Sequence, residues 1–248
     1  MLGNYVGIRD KHLNAYYYSS GGGMTGGYRN ISVIRWEGQA LVSFESAEWF
    51  SEDPTVNEYL ADIAVLEEIE AIVRKYKMNH WNKRKFTELF VHDGESHSYR
   101  FVFDDADIYF SSQIYPETYG SKLAELSSVI EKYVREGEKL PGLVNQKIDD
   151  DTQYSLPEGK AVIYVCSYAE NTLGLRILNG TDEEIKLSET YKIINHNTGA
   201  LLIEENTPYG GEIGKHSKDE IYIRLKERLT AGNYIMILGD WEIPFEIR

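Results

Sequence analysis

Between Glu136 and Lys160 the chain loses every apolar period: EGEKLPGLVNQKIDDDTQYSLPEGK holds two prolines, three glycines and an acid triplet. Such a run buries too little apolar surface to offset the entropy of ordering it, so it reads as a surface connection. It also separates two unlike patterns. Before it, strand-like alternation is interrupted by two helical stripes; after it, only strand-like alternation remains. The expectation is a first domain over residues 1–135, a linker over 136–160 and a second domain over 161–248. A chain of 248 residues, at ~150 residues per domain, has room for two such units.

In the first half, Leu13 to Ser20, Tyr28 to Trp36 and Gln39 to Ser46 are rich in tyrosine and β-branched residues and predict a three-stranded meander. A short strand follows from Val56 to Leu60. Leu66, Ile69, Ile72, Val73 and Tyr76 then recur at spacings of three and four, which predicts a helix with Asp62 as its N-cap and Asn79 as its stop. Glu67, Glu68 and Glu70 precede Arg74, Lys75 and Lys77, the order that the helix dipole favours. Strands near Phe86–His92, Ser98–Phe103 and Ile108–Ile114 come next. A second amphipathic helix, from about Glu117 to Arg135, carries Leu123, Leu126, Ile130, Tyr133 and Val134. Antiparallel strands with two one-sided helices predict an α+β domain, the helices covering one face of the sheet.

In the second half, Val162, Tyr164, Cys166 and Tyr168 alternate, as do Leu173, Leu175 and Ile177, Ile221, Ile223 and Leu225, and Tyr234, Met236 and Leu238. Asn179-Gly180 and the run from Asn195 to Gly199 carry turn chemistry that tolerates positive φ. Leu229-Thr230-Ala231-Gly232-Asn233-Tyr234 then places a tyrosine two residues after Gly232, at a strand entry. That is the pattern of a tyrosine corner, in which the phenol of Tyr234 bonds back to nearby backbone. On these residues the segment from Lys160 to Arg248 resembles bacterial immunoglobulin-like β-sandwich domains. The chain has one cysteine, so the resemblance is to the members without an inter-sheet disulfide. It implies an all-β sandwich and leaves activity open, since that fold serves adhesion, inhibition and architecture alike. The first half resembles no family of known activity.

Forty acidic against 26 basic residues leave a net charge of −14. That argues against nucleic acid, which needs a basic stripe, and no apolar run reaches the ~20 residues of a membrane helix. The start of the chain shows no export signal, which predicts the cytoplasm, or an exported protein if a leader has been removed. Cys166 lies in an apolar alternating run and reads as a buried, inert thiol.

Three stretches invite a chemical reading. Ser19 to Gly27 (SSGGGMTGG) satisfies G-x-G-x-x-G, but a strand follows where a dinucleotide site needs a helix, and no Walker or kinase motif accompanies it. It reads as a hairpin tip able to contact a partner. His92, Asp93, Glu95 and His97 cluster within six residues and, with Asp104, Asp105 and Asp107, offer candidate metal ligands at His92, Asp93 and His97. Their spacing fits neither H-E-x-x-H nor an EF-hand loop, and Asp93-Gly94 is more simply a hairpin turn. No nucleophile elbow is present. Nineteen tyrosines, among them Tyr16-Tyr17-Tyr18, form an aromatic load suited to binding surfaces, although tyrosine also suits half-exposed strands.

The sequence therefore predicts a non-enzymatic protein that binds a protein or small ligand, without a cofactor. The candidate binding residues are Tyr16, Tyr18, Met24 and Tyr28, and Gly232 and Tyr234 have structural roles. The alternatives are a small hydrolase or metal-dependent enzyme with its site in the first domain, and an inhibitor-like module in the second.

Overall fold

A computed structural model describes residues 4–22, 26–48, 53–86, 95–113, 117–144, 156–207 and 211–248. The elements in the first half are β1 (Leu13–Gly21), β2 (Tyr28–Trp36), β3 (Gln39–Ala47), β4 (Thr55–Ala61), α1 (Ala64–Lys75), a 3-10 turn (Met78–His80), β5 (Lys85–Phe86), β6 (Ser96–Phe103), β7 (Asp107–Ser112), α2 (Glu117–Glu136) and β8 (Glu138–Lys139). Those that follow are β9 (Ala161–Ala169), β10 (Thr172–Asn179), β11 (Ile185–Lys186), β12 (Thr190–Asn195), β13 (Leu201–Asn206), β14 (Glu212–Ile213), β15 (Ser217–Arg224), β16 (Gly232–Leu238) and β17 (Trp241–Ile247). The fold is β-rich, with two α-helices and several sheets among the described residues. It separates into two compact units, Met1–Phe50 with Asn57–Leu140, and Ser51–Val56 with Pro141–Arg248.

The first unit holds an eight-stranded sheet in the order β5-β7-β6-β1-β2-β3-β4-β8. Strand period and register place three rows of residues on one face. The first row is Val42, Val33, Tyr16, Phe101 and Ile108; the second is Phe44, Ile31, Tyr18, Tyr99 and Phe110; the third is Ser46, Arg29, Ser20, His97 and Ser112. The face thus grades from aliphatic through aromatic to polar. Its apolar rows pack with Val65, Leu66, Ile69, Ile72 and Val73 of α1 and Leu123, Leu126, Ile130 and Tyr133 of α2 in one buried core. Each fully buried aliphatic side chain contributes about 1.5–3 kcal/mol relative to exposure, so the stripes fix both helices against the sheet.

Local chemistry sets the ends of α1. The Asp62 carboxylate accepts from the Ala64 amide at 2.8 Å, satisfying one of the free N–H groups of the first turn. The helix stops earlier than the sequence suggests. Lys77 takes a left-handed conformation (φ 52°), while Asn79 is buried and bonds to the Val6 carbonyl at 2.9 Å. A second correction concerns the sheet, which is not wholly antiparallel: β5 runs parallel to β7 at the edge. These two strands are separated in sequence by β6, so no hairpin forces them to oppose.

The second unit contains a three-stranded sheet (β15-β10-β9), a four-stranded sheet (β13-β12-β16-β17) and the β11-β14 pair. Tyr168, Leu173, Leu175, Ile177, Ile193, Ile223, Met236, Ile243 and Phe245 belong to its shared core. Val162, Tyr164, Cys166 and Tyr168 do not share one face as their alternation suggests. The β9–β10 register shifts between Gly174 and Leu175, so that Ser167 pairs with Gly174 and Val165 with Leu175. Cys166 is the extra residue of this bulge. Tyr168 consequently enters the main core, whereas Tyr164 and Cys166 pack with Leu178 in a separate cluster.

The stretch expected as a linker carries backbone pairing at its beginning. The helix α2 runs through Glu136, and β8 pairs with β4 in the first unit. In the second unit Gly142 exchanges hydrogen bonds with Arg248, at 2.7 and 2.9 Å, and the Val144 amide donates to the Glu246 carbonyl at 2.9 Å. Gly180 has no positive φ; a Cβ there would lie 1.6 Å from the Pro157 carbonyl oxygen, so close backbone approach requires the glycine. Gly199 does hold a positive φ, of 69°.

Candidate functional site

In the first unit a cavity of about 340 Å³ lies between the graded face of the sheet and α2. The sheet contributes Tyr16, Tyr18, Arg29, Ile31, Phe44 and Tyr99. The helix contributes Gly120, Leu123, Ala124, Ser127, Ile130 and Glu131. Residues 120, 124 and 127 stand four and three apart on one helical face, and their small side chains leave the space unfilled. Leu123 and Ile130 are buried and supply apolar surface beside them.

The polar row of the sheet adjoins the cavity, and of it Arg29 joins the lining. Tyr18 and His97 share a hydrogen bond of 2.9 Å between the phenol oxygen and Nδ1, and burial holds the His97 imidazole below its ordinary pKa even though Glu95 pulls it upward. The Glu95 carboxylate stands 4.0 Å from Nε2, beyond hydrogen-bond length. The arrangement orients the Tyr18 ring and keeps the imidazole neutral near pH 7. Arg29, in the same polar row, is exposed and forms no hydrogen bond or ion pair with another described residue.

The candidate residues separate by strand parity. Tyr16 and Tyr18 both line the cavity, whereas Tyr28 stands on the other face of β2 and donates to Glu45 at 3.0 Å. Met24, His92 and Asp93 lie outside the described residues. His97 adjoins the cavity through Tyr18. Among the described residues no group of three or more His, Cys, Asp or Glu is placed to hold a metal. Residue type alone had favoured Tyr28, but the alternation Arg29-Ile31-Val33 carries the signal that puts Arg29 on the apolar face.

The second unit contains a charged cluster that the sequence reading missed. Register sets Tyr164, Arg176 and Glu220 side by side on β9, β10 and β15. The buried Arg176 guanidinium forms an ion pair with Asp53, donates to Glu220 through Nε at 2.8 Å and Nη2 at 2.6 Å, and approaches the Tyr164 hydroxyl at 3.4 Å. Burial pushes the Tyr164 phenol up to about 12. Burial also raises Glu220, but hydrogen bonds from Arg176 and Tyr222 more than offset this and leave its carboxyl below the ordinary value. Cys166, nearby, has its thiol pushed up to about 12 by burial, which removes thiolate reactivity near neutral pH. At the start of β16 the Tyr234 hydroxyl donates to the Thr230 carbonyl at 2.7 Å, and a Cβ on Gly232 would come 3.2 Å from the hydroxyl oxygen.

No protein-family model matches the chain, and no curated protein matches it. No helix among the described residues is long and apolar enough to cross a membrane.

Proposed function

We propose that this protein is a non-enzymatic ligand-binding protein whose first unit, an α+β domain, takes a small molecule with an apolar body into the cavity beneath α2. The graded cavity is the observation that carries the reading. Its volume of about 340 Å³ is at the small end of the ~300–1,000 Å³ typical of ligand pockets. Its walls combine Ile31, Phe44, Leu123 and Ile130 with a few polar groups, Arg29, Ser127 and Glu131 among them, the usual division between affinity and orientation. The net charge of −14 favours a small or protein ligand over nucleic acid.

The second unit, in this reading, is an immunoglobulin-like sandwich of the disulfide-free kind. Antiparallel sheets sharing one core and the Tyr234–Thr230 hydrogen bond support that kinship.

The cavity is tested by ligand-observed NMR on the full chain with a panel of one-ring aromatic compounds. Binding is expected to the unmodified protein and to be lost in Ser127→Trp, which fills the space from an exposed helical position while leaving the buried stripe intact. Equal binding to both proteins would remove the cavity from the account.

A further inference from the structure

The polar lining of the cavity narrows the class of ligand, an inference that rests on reading the cavity as a ligand site. We propose that the occupant is a small carboxylic acid with an aromatic or branched apolar body, its carboxylate held by Arg29 and its body against Ile31, Phe44 and Tyr99.

The charge balance is the first support. Arg74, Arg100, Arg135, Arg176 and Arg248 each meet a carboxylate of this chain. Arg29, like Arg9, Arg35 and Arg224, has no such partner among the described residues, and of these four it is the one that lines the cavity. Its neighbours across the strands are Ser20 and Ser46, short side chains that leave room for an incoming group and bring no competing charge. Glu131 on the helical wall is the one acid among the described lining residues, and it stands 3.7 Å from Arg135. Among the described lining residues Arg29 is the cation, on the sheet wall, and Glu131 the anion, on the helical wall.

Geometry is the second support. A guanidinium offers a planar fork that matches a carboxylate with two parallel hydrogen bonds. Arg29 stands in the polar row, directly beyond Ile31 on the same face of β2, so a molecule bound head-first at Arg29 extends its body along Ile31, Phe44 and Tyr99. A phosphate monoester carries nearly twice the charge and is usually met by several cations or by a helix N-terminus. A single guanidinium matches the single charge of a carboxylate.

The test is calorimetric titration of the full chain with 3-phenylpropionate, the uncharged 3-phenylpropionamide and phenyl phosphate. The unmodified protein, Arg29→Gln and Ser127→Trp are compared. The acid is expected to bind about tenfold more tightly than the amide, the advantage of a charge-assisted hydrogen bond. Arg29→Gln is expected to erase that advantage, weakening the acid more than the amide, and Ser127→Trp to abolish both. Equal affinity for acid and amide in the unmodified protein overturns the carboxylate assignment, as does an advantage that survives Arg29→Gln. In either case the cavity reading stands if binding is still lost in Ser127→Trp. Tighter binding of phenyl phosphate than of the acid overturns the carboxylate in favour of a phosphate monoester. Binding of none of the three overturns both the assignment and the cavity as a ligand site.

Discussion

Arg29 in the first unit and Arg176 in the second both stand on a strand with a neighbouring strand on each side, and they meet opposite fates. Arg176 is buried and bonded to Asp53 and Glu220, with Tyr164 beside it. Arg29 is exposed at the edge of a cavity and has no partner among the described residues. The difference follows from desolvation. A buried guanidinium must be paired, because an uncompensated interior charge costs several kcal/mol. A guanidinium that keeps its water needs no partner in the fold, and is available to a ligand that displaces that water. One arginine is thus part of the architecture and the other is left to the proposed site.

The contrast breaks first at Arg176. Asp53→Ala removes one of its two carboxylates and is expected to destabilise the second unit by about 3 kcal/mol, the lower end for a broken buried pair because Glu220 remains. Arg29→Gln should change stability by less than ~0.5 kcal/mol. Urea denaturation of both variants makes the comparison, and equal losses would mean that burial does not distinguish the two arginines.

A neutral hydrogen bond provides a smaller yardstick in the same unit. Tyr234→Phe removes the bond to the Thr230 carbonyl and is expected to cost about 1 kcal/mol. An unchanged urea midpoint would show that the corner contributes nothing to stability and would weaken the kinship drawn from it.

The smallest effect concerns His97. Burial keeps its folded-state pKa below the ordinary 6.5, so folding opposes protonation. Stability of the first unit from this group is complete above pH 6.5 and is lost as pH falls through the lower folded-state pKa, where the unfolded chain holds a proton that the folded one resists. In His97→Gln that part of the pH dependence should vanish. Denaturation profiles measured on either side of pH 6 should therefore converge for the variant and separate for the unmodified protein; the opposite slope would place a protonated imidazole in the folded state.

Periodic patterns carried much of this architecture in the sequence. The strands β1 to β3, both helical stripes and Asp62 at the start of α1 were legible because period and capping chemistry are local. The cavity was half legible: Tyr16 and Tyr18 share a parity, but Tyr28 drew notice by type while Arg29, one residue on, has the parity that matters. Other features depend on tertiary context. A bulge at Cys166 reverses which side chains of β9 enter the core, and alternation alone does not reveal it. Asp53 and Arg176 are 123 residues apart, and no local pattern joins them. α1 ends at Lys75, ahead of a left-handed Lys77, while Asn79 bonds to Val6, a partner far away in sequence.

The most direct measurement of the central claim is where a ligand binds. Backbone amide shifts of the isotopically labelled full chain are followed while 3-phenylpropionate is added. A cavity site predicts saturable shifts gathered at Tyr16, Tyr18, Arg29, Ile31, Phe44, Leu123, Ala124 and Ser127, absent in Ser127→Trp. Shifts centred instead on the exposed Leu201 and Leu202 of β13, or unchanged by the tryptophan, would contradict it.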